Sequence, residues 1–157
     1  MNITINNLFK FIFIVTLFFI KPTLSVEKGK WDFVKEDNWC YIASIPMKEE
    51  GDYTKRGDTY TIVYRINKDP ETIVQINAGY NYDESKSIQL TIDETKFELF
   101  SKGDTAWSRD EDKEIILAMK RGKDLIIKGI SSRGTVTKDT YTLIGFTAAY
   151  NKLKKDC

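Results

Sequence analysis

Between Trp39 and the end of the chain, apolar and polar residues alternate with a period of two over most of its length. That is the spacing of strands with one buried face. The pattern predicts strands at Trp39-Cys40-Tyr41-Ile42, at Tyr60-Ile62-Tyr64-Ile66, at Ile73-Val74-Gln75-Ile76, at Ile88-Leu90-Ile92, at Phe97-Leu99 and at Leu125-Ile126-Ile127. Turn-forming clusters separate them: Lys55-Arg56-Gly57-Asp58, Asn67-Lys68-Asp69-Pro70, Asp83-Glu84-Ser85 and Asp93-Glu94-Thr95. Short strands broken about every ten residues indicate an antiparallel sandwich or barrel. Ser132-Arg133-Gly134-Thr135 reads as a further turn, with Gly134 at a positive φ and Arg133 at the tip.

The period changes in two places. Ser108 followed three residues later by Glu111 is a capping box, acidic residues follow it, and Gly122 suits the C-terminal cap. The helix between them puts Ile115, Ala118 and Met119 on one face. A second short helix is expected over residues 147–154, with Ala149, Tyr150 and Leu153 turned inward.

The first 25 residues do not belong to this pattern. Lys10 closes a polar start, the largely apolar stretch 11–20 follows, and small residues end at Ser25, which together read as a secretory signal. Ten residues fall short of the roughly 20 needed to span a bilayer. The expected organisation is therefore a signal peptide over 1–25 and a single domain over 26–157, with no membrane insertion of the mature chain. Cleavage would leave 22 basic and 23 acidic residues, a net charge of −1. So balanced a chain argues against nucleic acid as partner.

Export changes how the two cysteines are read. Cys40 and Cys157 are the only ones in the chain, and neither lies in a CxxC motif. In an oxidising compartment a disulfide between them is the leading reading, with free thiols or an intermolecular bridge as the alternative.

Candidate chemistry is scarce. The sequence contains no histidine, which removes the commonest general base, triad partner and transition-metal ligand together. Lys128 with Ser131 or Ser132 could supply a base and nucleophile, but no oxyanion motif accompanies them. Asp104, Asp110, Glu111, Asp112 and Glu114 do not have the spacing of an EF-hand, and carboxylates in a first helical turn are explained by the helix dipole. No catalytic residue, metal or cofactor is expected. Among the aromatic residues, Trp39 is expected in the core against Cys40, as an indole packs on a disulfide in sandwich domains. Trp107 reads either as a staple toward Ile115 or as an anchor for a partner. Arg133 reads either as a recognition residue near Trp107 or as the partner of Asp139 or Asp104.

The motifs LFxxGDTAW (99–107), AMKRGK (118–123) and SxRGTxTxDTYxLxGFTAA (131–149), with a terminal cysteine, resemble the invasion-associated locus B family of bacterial periplasmic proteins. The resemblance implies an immunoglobulin-like β-sandwich with one or two short helices. It also implies a location in the periplasm, at the outer membrane or outside the cell. On that footing the first functional reading is a non-enzymatic module that presents Trp107 and Arg133 to an envelope or surface protein. The second is a small-ligand or glycan-binding protein, or a hydrolase of unrecognised type.

Overall fold

The computed structural model describes residues 27–66 and 69–157. The signal expected over 1–25 lies outside them, as does part of the turn expected at Asn67-Lys68. Ten antiparallel strands and two helices follow one another as β1 (Asp32–Lys35), β2 (Trp39–Ser44), β3 (Lys48–Gly51), β4 (Tyr60–Ile66), β5 (Ile73–Asn77), β6 (Ile88–Ile92), β7 (Thr95–Lys102), β8 (Thr105–Trp107), α1 (Asp112–Arg121), β9 (Asp124–Ile130), β10 (Val136–Thr142) and α2 (Phe146–Asp156). All the strands are hydrogen-bonded into one sheet in the order β1-β2-β4-β5-β8-β7-β6-β9-β10-β3.

The mainly β, antiparallel expectation holds, but the immunoglobulin-like sandwich gives way to a single curled sheet, a half-barrel. A sandwich of that kind has two separate sheets facing each other. Here hydrogen bonding runs through without a break, because β7 pairs with β6 over Thr95 to Leu99 and with β8 over Phe100 to Lys102. The chain also turns between β2 and β3, which lie in opposite halves of the sheet.

Alternation along the strands decides which side chains are enclosed. On β2, Cys40, Ile42 and Ser44 are fully buried; on β7, Phe97, Leu99 and Ser101 point inward. Both helices cover this inner face. From α1 come Ile115, Ile116 and Met119, and from α2 come Phe146, Ala149, Tyr150 and Leu153, as the spacing of the last three predicted. Trp31 fixes the start of the described chain, donating its indole N–H to the Thr142 carbonyl at 2.9 Å and meeting Phe146 edge-on.

The start of α1 differs from the expected capping box. Glu111 is the N-cap and offers no side-chain hydrogen bond, and the Asp112 carboxylate accepts the Val74 N–H at 2.8 Å instead. The helix start is thereby stitched to β5 instead of being capped internally. Acidic Asp112 and Glu114 in the first turn, with Lys120 and Arg121 in the last, still match the dipole. Gly122 is the C-cap, but in extended conformation, and a Cβ there would strike Ile92.

Cys40 and Cys157 form a disulfide with Cα atoms 5.9 Å apart, across 117 residues of sequence. It fixes the end of α2 to the centre of β2. Chain entropy assigns such a loop up to about 4–5 kcal/mol. Replacing both cysteines with alanine is therefore expected to lower the unfolding free energy by several kcal/mol in urea titrations. An unchanged midpoint would show that the bridge is dispensable.

Candidate functional site

The outer side of β2, β4, β5, β8 and β7 carries aromatic residues where a solvated sheet face is usually polar. Trp39 is among them. The expectation that it packs in the core fails because neighbouring residues on a strand point to opposite faces, so a buried Cys40 turns Trp39 outward. Its indole stacks on Tyr41 at 4.6 Å and meets Tyr64 edge-on at 5.9 Å. Cross-strand register extends this surface in two rows. Val34, Tyr41, Tyr64 and Ile73 stand opposite one another, as do Ala43, Ile62, Gln75, Trp107 and Phe100. Trp107 thus faces outward from the end of β8, 5.9 Å from Phe100, with its N–H directed to Gln75 Oε1 at 3.4 Å. Its strand neighbour Ala106 takes the core position, so the indole does not act as a staple toward Ile115.

A groove of about 610 Å³ lies on this face, with Trp39, Tyr41, Tyr60 and Ile62 on one side and residues 56–59 on the other. Across the same loop, a second cleft of about 570 Å³ is lined by Tyr53, Lys55, Tyr80, Asn81 and the turn bearing Arg133. Trp107 and Arg133 therefore belong to different surroundings. Arg133 is exposed at the tip of the β9–β10 turn, where Gly134 has φ +86° as the sequence predicted. Among the described residues it has no ion pair.

The partner expected for it, Asp139, is taken by Arg56. The Arg56 Nη1 and Nη2 groups donate to the two Asp139 oxygens at 2.6 Å each, and Nε donates to the Ala78 carbonyl at 2.6 Å. Both side chains are almost fully enclosed, at 3% and 2% exposure. The guanidinium also lies between the rings of Tyr80 and Tyr53, 5.0 and 5.5 Å from their centres. Burial pushes the Asp139 carboxyl up and Arg56 pulls it back only in part. Burial draws the guanidinium down, yet the carboxylate outweighs this and raises it. Burial likewise raises the hydroxyls of Tyr80 and Tyr82, so all the tyrosines behind this loop stay neutral at ordinary pH. Arg56 was legible only as one residue of a turn, since nothing in its spacing distinguishes a buried arginine from an exposed one. The one available signal was an aspartate, Asp139, at an inward position of an alternating strand.

Backbone contacts complete the loop's attachment. Gly57 N–H donates to the Gly79 carbonyl at 2.9 Å, and the Thr59 hydroxyl donates to Ala78 O at 3.3 Å. Gly79 has φ +68°, and a Cβ there would lie 2.6 Å from the Gly57 carbonyl carbon.

Of the other candidates, Ser131 uses its hydroxyl oxygen to accept the Arg133 and Thr135 N–H groups, which shapes the turn. Asp104 accepts the Thr105 hydroxyl at 2.9 Å. No group of three or more acidic or cysteine residues is placed to hold a metal among the described residues. No helix among them is long and apolar enough to cross a membrane.

Comparison with known proteins gives this geometry a family. The model of the invasion associated locus B (IalB) protein family matches residues 32–154, nearly all of the described chain. The chain belongs to the IalB family. A crystal structure of invasion associated protein B from Bartonella henselae has the same fold, with TM-score 0.60 and 20% identity over 83% of this chain and 96% of that one. No curated protein sequence matches significantly.

The packing of Gly79 on Gly57 leads to a test of the loop's attachment. Gly79→Ala combines a strained positive φ with a backbone clash and is expected to cost about 2–4 kcal/mol in urea unfolding. A cost within 0.5 kcal/mol would show that the 52–59 loop is free to move away.

Proposed function

We propose that this IalB-family chain is an exported envelope protein that binds another envelope or surface protein and catalyses no reaction. Its mature part, from residue 26 onward, acts as one domain in the periplasm or at the cell surface. Family membership supports the envelope role, and the Cys40–Cys157 bridge fits an oxidising compartment. The sequence without histidine, and a Ser131 hydroxyl committed to its own turn, supply no nucleophile with a base.

The observation that carries the reading is the aromatic outer face. Trp39, Tyr41, Tyr64, Trp107 and Phe100 remain partly or largely exposed on the side of the sheet that the helices do not cover. Partly exposed Trp and Tyr, with aliphatic side chains between them, make up the residue types that dominate protein interfaces. Paired cross-strand rings are also held rigid before any partner arrives, which lowers the entropy lost on binding.

The test compares immobilised wild type, the triple variant W39S/Y64S/W107S and the control K128S, which alters the exposed side of β9, on envelope extract. Wild type and K128S are expected to retain the same discrete proteins, and the triple variant to lose them while keeping its circular dichroism spectrum. Retention of the same proteins by the folded triple variant, or of nothing above background by wild type, would contradict the proposal.

A further inference from the structure

The cleft on the other side of the 52–59 loop has a different chemistry and stands apart from the aromatic face. Lys55 and Arg133 both line it, and neither has an ion pair among the described residues. The third cation of the lining, Arg56, is neutralised by Asp139. Opposing the two free cations is one lining carboxylate, the exposed Asp52. The rest of the lining is mainly hydroxyl-bearing, and Tyr53 and Tyr80 are held against the Arg56 guanidinium.

Backbone donors narrow the choice of anion. Phosphate is commonly held by nests of free backbone N–H groups. In this cleft those groups are already used: Gly57 N–H on Gly79 O, Ser132 N–H on Asn81 O, Gly134 N–H on Ser131 O, and the Arg133 and Thr135 amides on the Ser131 hydroxyl. Recognition is left to side chains. A planar guanidinium matches a carboxylate in two parallel hydrogen bonds, and an ammonium on the same cleft adds charge without fixed geometry. The hydroxyls suit a ligand that itself carries many hydroxyls, and a volume of about 570 Å³ admits a ligand of one or two sugar rings.

We infer that the cleft between Lys55 and Arg133 binds an acidic sugar, its carboxylate held by the two cations and its hydroxyls by the polar walls. The sugar is either free or the terminal unit of a glycan, and the two share the same recognition chemistry.

The test is titration of the ¹⁵N-labelled domain with D-glucuronate, a glucuronate-terminated oligosaccharide, D-glucose, acetate and inorganic phosphate. The amide shifts of Tyr80, Asn81, Ser132 and Arg133 are followed. Saturable shifts with glucuronate, and at least about tenfold weaker effects of glucose, acetate and phosphate, are expected. R133Q and K55Q are each expected to weaken glucuronate binding about tenfold without altering the remainder of the spectrum. Tighter binding of the oligosaccharide assigns the site to glycan termini, and equal or weaker binding assigns it to free sugars. The inference is overturned if glucuronate gives no saturable shift, if phosphate or acetate binds as well, or if both folded variants keep wild-type affinity. None of these outcomes bears on the aromatic face, since K55Q and R133Q leave it intact.

Discussion

Arg56 and Asp139 join parts of the chain that are far apart in sequence and in the sheet. The arginine enters from the loop before β4, the aspartate stands on β10, and the third bond reaches Ala78 at the end of β5. Enclosing two opposite charges costs several kcal/mol per ion, recovered only where geometry is close to ideal and the remaining donors are used. A fork meeting both carboxylate oxygens, with Nε on a carbonyl, fulfils that condition. Lysine, a single point donor on a flexible stem, would not. Replacing the pair with apolar groups could leave the domain as stable, so its value lies in fixing where the 52–59 loop runs.

That placement creates both candidate surfaces. With the loop held against Gly79, its one side closes the aromatic groove over Tyr41 and Tyr60, and its other side forms the polar cleft under Arg133. The two surfaces then differ in kind for reasons of position. The groove is floored by a strand face whose outward residues are aromatic. The cleft is floored by turns whose amides are saturated, which leaves charged and hydroxylated side chains as the only free groups. A disulfide far from both, between α2 and β2, secures the termini without entering either site.

Much of this was legible in the sequence, for physical reasons that also explain the rest. Period-two alternation located β2, β4, β5, β6, β7 and β9, and three inward residues of α2 followed from helical spacing. A pair of lone cysteines in an exported chain pointed to the bridge. Strands β1, β3 and β8 were not expected, because three- and four-residue strands hold too few residues for a period to show. Alternation, applied strictly, would also have placed Trp39 outside once Cys40 was inside; the association of indoles with disulfides pulled it the wrong way. The curl of the sheet depends on where β7 changes partners, and no local pattern marks that residue. Trp107 and Arg133 were both rightly picked out as exposed, yet the pairing of Asp139 with Arg56 rather than Arg133 arises only in three dimensions.

The claim that organises this account is that Arg56 and Asp139 act as one unit. A double-mutant cycle with Arg56→Met and Asp139→Leu, measured by urea unfolding, tests it most directly. Each single change leaves one buried charge alone and is expected to cost about 3–5 kcal/mol, while the double variant costs less than either single one. Two small single effects that simply add would contradict it.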